Sequence, residues 1–279
     1  MLQKHERHTA MEGFTLIELS IVLVIIGLII GAILVGKSLI HTSEIRAQVS
    51  QFQKYTSAVN TFRTKYNALP GDITPTLAAG FGLAARAGSV GQGDGNGFIE
   101  GGGPGSSDVA GETALFWNDL STANLIEGHL AGTDCTVNTG TCASLPTQQI
   151  VPVSKLQYQT EILVYSGGDG LNYYGLWSLI QGIGGIDTNG AIHGLTMGYI
   201  TPMDAYSIDT KIDDGYPLSG TVEITNGITS LNSAPPLIAP AAPAPGVCVS
   251  NVPATGSYNI AGSANADSYA GCAMRVRIN

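Results

Sequence analysis

Between Glu18 and Lys37 the chain runs for 18 residues without a charge, through "LSIVLVIIGLIIGAILVG". As a helix, rising about 1.5 Å per residue, this stretch is roughly 27 Å long, close to the hydrocarbon thickness of a bilayer. A segment of this kind cannot be loop or sheet in lipid, because every backbone N–H and C=O must find a partner within the segment itself. The dozen residues before it are polar and carry Lys4 and Arg7, a modest positive bias that keeps the N-terminus cytoplasmic. The apolar core is longer than that of a cleavable secretory signal, and "VGKSLIHTSEIRA" after it holds no A-x-A-like cleavage site. A membrane segment of about 17–40 is expected, with the remainder of the chain extracytoplasmic.

The helix does not end at the membrane. Ile45, Val49, Phe52, Val59, Phe62 and Tyr66 recur at three- and four-residue steps or their multiples, which defines one apolar stripe on an amphipathic helix. No proline occurs before Pro70. One helix is therefore predicted from about Thr15 to about Tyr66, closed by the proline and glycine of "NALPGD".

One acid, Glu18, stands at the rim of the apolar run. Unpaired in lipid, a carboxylate is neutralised, paired or drawn to the interface. The residues around it explain its place. "GFTLIELS" followed by a long apolar helix resembles the N-terminal signature of type IV pilins and type II secretion pseudopilins. The resemblance covers about the first fifth of the chain, with glycine, phenylalanine, acid and apolar run in order. It implies that prepilin peptidase cuts between Gly13 and Phe14 and methylates the new amino group. Residues 1–13 would then be a cytoplasmic leader, 14–66 the long helix and 67–279 an extracytoplasmic globular domain. The fold implied is α+β and pilin-like: a long N-terminal helix on an antiparallel β-sheet, with loop-rich insertions. In a filament, Glu18 of one subunit would pair with the Phe14 ammonium of the next and set the register. The partners implied are other pilin or pseudopilin subunits, prepilin peptidase, an inner-membrane assembly platform, and membrane lipid before assembly. The location implied is the bacterial inner membrane, single-pass with the globular domain periplasmic, and then a pilus or secretion filament. Many filament-forming relatives carry a proline near the position of Val35. This chain has none, and its domain is large for a major pilin, which points to a minor or tip-associated subunit.

After Pro70 the texture changes. "GSVGQGDGNGFIEGGGPGSSD" (88–108) reads as a long flexible loop, and "ETALFWNDLSTANLIEG" as a short helix ending near Gly128. "KLQYQTEILVYSGG" and "YYGLWSLIQGIGG" read as two strands about a "GDGLN" turn. Thr201 is expected as an N-cap, with Pro202 at the first helical position of a helix closed by Gly215. "GTVEITNGI" and the terminal "CAMRVRI" are further strands. The proline-rich "SAPPLIAPAAPAPG" (233–246) is expected to run as an extended surface loop.

Net charge is −9, and no Lys/Arg cluster is present, which argues against nucleic acid as a partner. The four cysteines, Cys135, Cys142, Cys248 and Cys272, lack the spacing of zinc or redox sites and suit disulfides in an exported domain. Three pairings are open, and 135–142 with 248–272 closes the shortest loops. In "GDGNGFIEGG", Asp94, Asn96 and Glu100 offer oxygens on pliable backbone, with the Phe98 carbonyl nearby, as a calcium site would require. Asp209 and Asp213 stand four apart on a helix face, where Lys211 or a cation can offset their repulsion. His41, His129 and His193 stand apart from any catalytic motif, and no GxSxG, HExxH or P-loop is present. The expectation is a structural, noncatalytic protein. Alternatives are a secretion pseudopilin or a membrane-anchored adhesive domain that does not polymerise.

Overall fold

A computed structural model describes residues 15–100, 111–130, 150–157, 160–167, 169–178, 196–197, 200–225, 248–250, 256–260 and 272–278. The chain divides into two units, Met1–Ser43 and Glu44–Asn279. The first helix, α1 (Leu16–Tyr66), enters both. Gly13, Phe14, Cys135, Cys142 and the proline-rich 233–246 lie outside the described residues.

In the first unit α1 is apolar on all sides, and none of its membrane-length window is buried against protein. It is the one helix among the described residues long and apolar enough to cross a membrane. The helix runs through Val35 without interruption, as expected from the absence of proline.

In the second unit α1 is amphipathic. Ile45, Val49, Phe52, Val59, Phe62 and Tyr66 are all buried, as their spacing predicts, and Tyr55 and Ala58 widen the stripe. The helix stops at Tyr66 because Asn67 takes a left-handed conformation (φ 51°) and donates its N–H to the Arg63 carbonyl at 2.9 Å. A short helix, α2 (Pro75–Gly80), follows with proline in its first turn. Helix α3 (Gly111–Thr122) ends six residues before Gly128. Asn124 turns left-handed (φ 57°), Leu125 N–H reaches the Leu120 carbonyl and Asn124 N–H the Ser121 carbonyl, which together form a Schellman closure. Asparagine thus takes the role expected of glycine.

The sheet is antiparallel. β1 (Glu161–Ser166) and β2 (Asn172–Ser178) form the expected hairpin; β3 (Thr196–Met197) pairs with β2. Helix α4 (Pro202–Ile212) starts on Thr201, whose hydroxyl accepts the Asp204 N–H at 3.2 Å. β4 (Val222–Thr225) forms one edge, and the last strand lies between it and β2. β5 (Val249–Ser250) and β6 (Ser257–Tyr258) make a separate two-stranded pair, and β7 (Ala273–Arg277) completes the order β1-β2-β7-β4. Cys248 and Cys272 are joined in a disulfide.

Strand alternation and register place Ile162, Val164, Tyr174, Leu176, Val222, Ile224, Met274 and Val276 on one face. This face meets α1 through Phe52 and Tyr55, whose rings lie 5.9 and 6.4 Å from that of Tyr174. The other face is buried too. There the Arg275 guanidinium lies 4.0 Å from the Tyr173 ring centroid and donates through Nε to Glu223 at 2.8 Å. The architecture is α+β: a long N-terminal helix and a small antiparallel sheet.

Phe62 is wholly enclosed. Phe62→Ala is expected to lower unfolding free energy by about 3–5 kcal/mol, the range for truncating a buried phenylalanine. Chemical denaturation of the detergent-solubilised chain measures this, and an effect below about 1 kcal/mol would place Phe62 outside the core.

Candidate functional site

Two places bring chemistry-bearing side chains together. The first is the head of α1. Thr15 N–H and Thr15 Oγ1 both donate to Glu18 Oε2, at 2.7 and 2.8 Å, while Glu18 N–H points back to Thr15 Oγ1 at 3.3 Å. This is a capping box: threonine at the N-cap and an acid three residues on, each satisfying the other's backbone N–H. Both threonine donors converge on Oε2. The large apolar side chains from Leu16 to Ile40 are all exposed in the single chain. The "TLIE" spacing signals this cap in the sequence without reference to any assembly.

The second place is an acidic corner. Asp72 follows the turn after α1, Asp94 sits in the glycine-rich loop and Glu112 opens α3. Each offers a carboxylate oxygen within 4.8 Å of the other two. Asp72 accepts the N–H groups of Gly95, Asn96 and Gly97 at 2.7, 3.1 and 2.7 Å. Glu112 accepts those of Gly93 and Glu100 at 2.7 and 3.0 Å. Asn172 holds the same loop from the sheet, accepting the Ile99 N–H at 2.9 Å. Residues 88–100, expected as a flexible loop, are therefore folded around two carboxylates and a strand amide.

Asp94, Asn96 and Glu100, the expected calcium ligands, do lie together. Asn96, however, presents its amide nitrogen to them, at 3.1 Å from Asp94 and 3.4 Å from Glu100, and spends its oxygen on the Phe98 N–H at 2.7 Å. The carboxylate oxygens that lie within 4.8 Å of one another are those of Asp72, Asp94 and Glu112, with both oxygens of Asp72 and of Glu112 also accepting backbone N–H groups. Asp72 and Glu112 lie 22 residues before and 18 after Asp94, beyond the reach of a local motif. The nearby Arg86 does not neutralise them, because it pairs bidentately with Asp119, both side chains fully buried. An all-oxygen trio suits a hard divalent cation, and Asp72, Asp94 and Glu112 are the residues that would hold one.

Burial raises the Glu112 carboxyl to about 8 and the Asp72 carboxyl to about 6, against the pull of the backbone N–H groups. Burial raises Glu100 as well. A second trio, Asp209, Asp213 and Asp214, also converges within 4.8 Å. Asp209 is raised to about 6 by burial; it accepts from Tyr258 Oη at 2.7 Å and Gly215 N–H at 3.1 Å. Lys211, the expected counter-charge, donates instead to the Ser207 carbonyl at 3.1 Å.

No family model, curated protein or solved structure matches the chain.

A carboxyl whose pKa is higher folded than unfolded retains a proton that the unfolded chain has lost. Stability is then fully present below the unfolded value near 4.5 and falls as pH rises toward about 8. In metal-free buffer, unfolding free energy is expected to fall steadily from pH 5 to 8. Glu112→Gln should remove most of that slope. An equal slope in the variant would assign the pH dependence to other groups.

Proposed function

We propose that this chain is a noncatalytic structural subunit of a type IV pilus-like filament. In this reading prepilin peptidase cuts it between Gly13 and Phe14, and the subunit assembles through α1. Before assembly the apolar half of α1 anchors it in the inner membrane, with the globular domain in the periplasm. There the Cys248–Cys272 disulfide is chemically at home. Lipid covers the apolar side chains first and neighbouring α1 helices cover them afterwards.

The observation that carries the reading is the state of Glu18. Its two Thr15 donors meet at Oε2, and Oε1 makes no hydrogen bond among the described residues. A free α-amino group on Phe14 has a pKa near 8 and is largely cationic at neutral pH. A neighbour's ammonium can take Oε1 while the cap stays closed. A misplaced subunit leaves both charges unpaired, so the pair selects register. The uninterrupted helix at Val35 favours a minor or tip-associated subunit. A type II secretion pseudopilin would use the same head and differ in its assembly platform, and a non-polymerising adhesin would use α1 as an anchor alone.

Intact-mass analysis of membrane-extracted protein is expected to show loss of residues 1–13, with or without a methyl group. An unprocessed N-terminus would sink the proposal. Three variants separate charge from cap. Glu18→Gln can keep the cap and loses the charge, Glu18→Ala loses both, and Thr15→Ala weakens the cap by about 1 kcal/mol. Both Glu18 variants should be inserted and processed normally but recovered in sheared filaments at a tenth of wild type or less. Thr15→Ala should assemble well. Normal incorporation of Glu18→Gln would refute the register role.

For the acidic corner we propose calcium as the ion. Millimolar calcium at pH 7.5 should raise the melting temperature by several degrees, and Asp94→Asn should abolish the rise. An identical rise in the variant would remove Asp94 from the site.

A further inference from the structure

An open groove of about 820 Å³ lies between the second half of α1, the end of α4, the entry to β4 and the end of β7. That volume suits a small-molecule site. Phe52, Ile212 and Val276 give it an apolar base. One wall is a polar stripe of α1, where Gln53, Ser57, Asn60, Thr61 and Thr64 recur at helical spacing and are exposed. Thr61 Oγ1 donates to the Ser57 carbonyl and Thr64 Oγ1 to the Asn60 carbonyl, each at 2.8 Å. With their protons committed, these hydroxyl oxygens are left as acceptors, while Asn60 carries an amide able both to donate and to accept.

Two cations border the groove. Lys65 makes no ion pair among the described residues and lies 4.8 Å from the Tyr66 ring centroid. Arg277 is steadied by donating through Nη2 to the Gly220 carbonyl at 2.6 Å, and its buried Nε has no hydrogen-bond partner among the described residues. Glu223 Oε1 lies 3.9 Å from Arg277 Nη2, a long ion pair, while Arg275 holds the other oxygen, Oε2. The residues lining the groove include Lys65 and Arg277 and no acid, a local inversion of charge in a chain of net charge −9.

We propose that this groove binds an acidic saccharide. The uronate carboxylate faces Lys65 and Arg277, the ring hydroxyls face the α1 stripe, and the C–H face of the ring lies on the apolar base. The site goes beyond the filament assignment and does not depend on assembly.

Calorimetric titration of the full chain in detergent tests this with three probes: digalacturonate, its uncharged methyl ester and triglutamate. Digalacturonate is expected to bind saturably. The ester should bind about tenfold more weakly, as loss of a charged hydrogen bond implies, and triglutamate more weakly still. Asn60→Ala and Lys65→Gln, both at exposed positions, should each weaken binding about fivefold or more at unchanged melting temperature. Arg277→Gln should weaken it about tenfold. Absence of saturable binding, an ester as tight as the acid, or variants without effect would overturn the proposal. Triglutamate binding as tightly as digalacturonate would overturn the saccharide assignment.

Discussion

The globular unit depends on one aromatic junction. Tyr174, in the middle of β2, is met by Phe52 and Tyr55 from α1 and by Phe116 and Trp117 from α3, with ring centroids 5.9–6.4 Å away. Trp117 and Tyr55 close the ring edge to face at 4.8 Å. Such pairs contribute about 0.5–1.5 kcal/mol each beyond the area they bury. Their larger effect is geometric. Three elements, whose contacting residues lie more than fifty positions apart in sequence, are held to one side chain, so a shift in any of them disturbs the other two. The saccharide groove lies on one flank of this junction, where Phe52 is also its base, and the acidic corner hangs from α3.

Helix α3 grips its surroundings at two points seven residues apart, hence on one face. Asp119 takes the bidentate Arg86 and also accepts the Gly71 N–H at 2.8 Å, while Glu112 takes the loop at Gly93 and Glu100. The buried Arg86–Asp119 pair is weak evidence for net stability, since desolvation offsets much of the attraction. It does fix where the turn after α1 lies. Gly71, at φ 84°, passes so near α3 that a Cβ there would stand 2.5 Å from the Glu112 carbonyl oxygen. That close approach delivers Asp72 to the acidic corner. Gly93 is constrained in the same way, at φ 78° against the Ile73 carbonyl and Arg86. Glycine at both positions is a packing requirement, and the crowding of carboxylates follows from it.

What was legible in the sequence was local. The α1 stripe, the β1–β2 hairpin, the Thr201 cap and the strand at β7 each announce themselves within a few residues through period, turn chemistry or capping. The membrane-length run is legible for the same reason. The meeting of Asp72 and Glu112 with Asp94 was not, because it arises from the long-range packing of α3 on the turn. Arg275 was hidden differently. In "AMRVR" the alternation reads as one buried and one wet face, yet both faces are covered and Arg275 is folded over Tyr173. A strand's period shows which residues share a face, and only tertiary structure shows what covers it. The end of α3 shows a third limit, since the left-handed Asn124 closes that helix ahead of Gly128, whereas α1 ends at Tyr66 as its pattern predicts.

The head of α1 brings the local and the long-range together. An acid at the rim of a membrane-length run looks misplaced only when it is counted as a charge in lipid. At the third position of a helix it completes the hydrogen bonding of backbone groups that the apolar residues around it cannot reach. That role requires nothing beyond the chain itself. It also sets the terms on which a second role can be added. Because Thr15 draws on Oε2 alone, an ammonium from a neighbouring subunit would compete with no existing bond, and pairing would require no unfolding of the helix end. A cap that leaves one oxygen over would let a single chain and an assembled one share the same backbone. In the proposed filament, exchanging lipid for neighbouring helices would be a change of surroundings and not of fold.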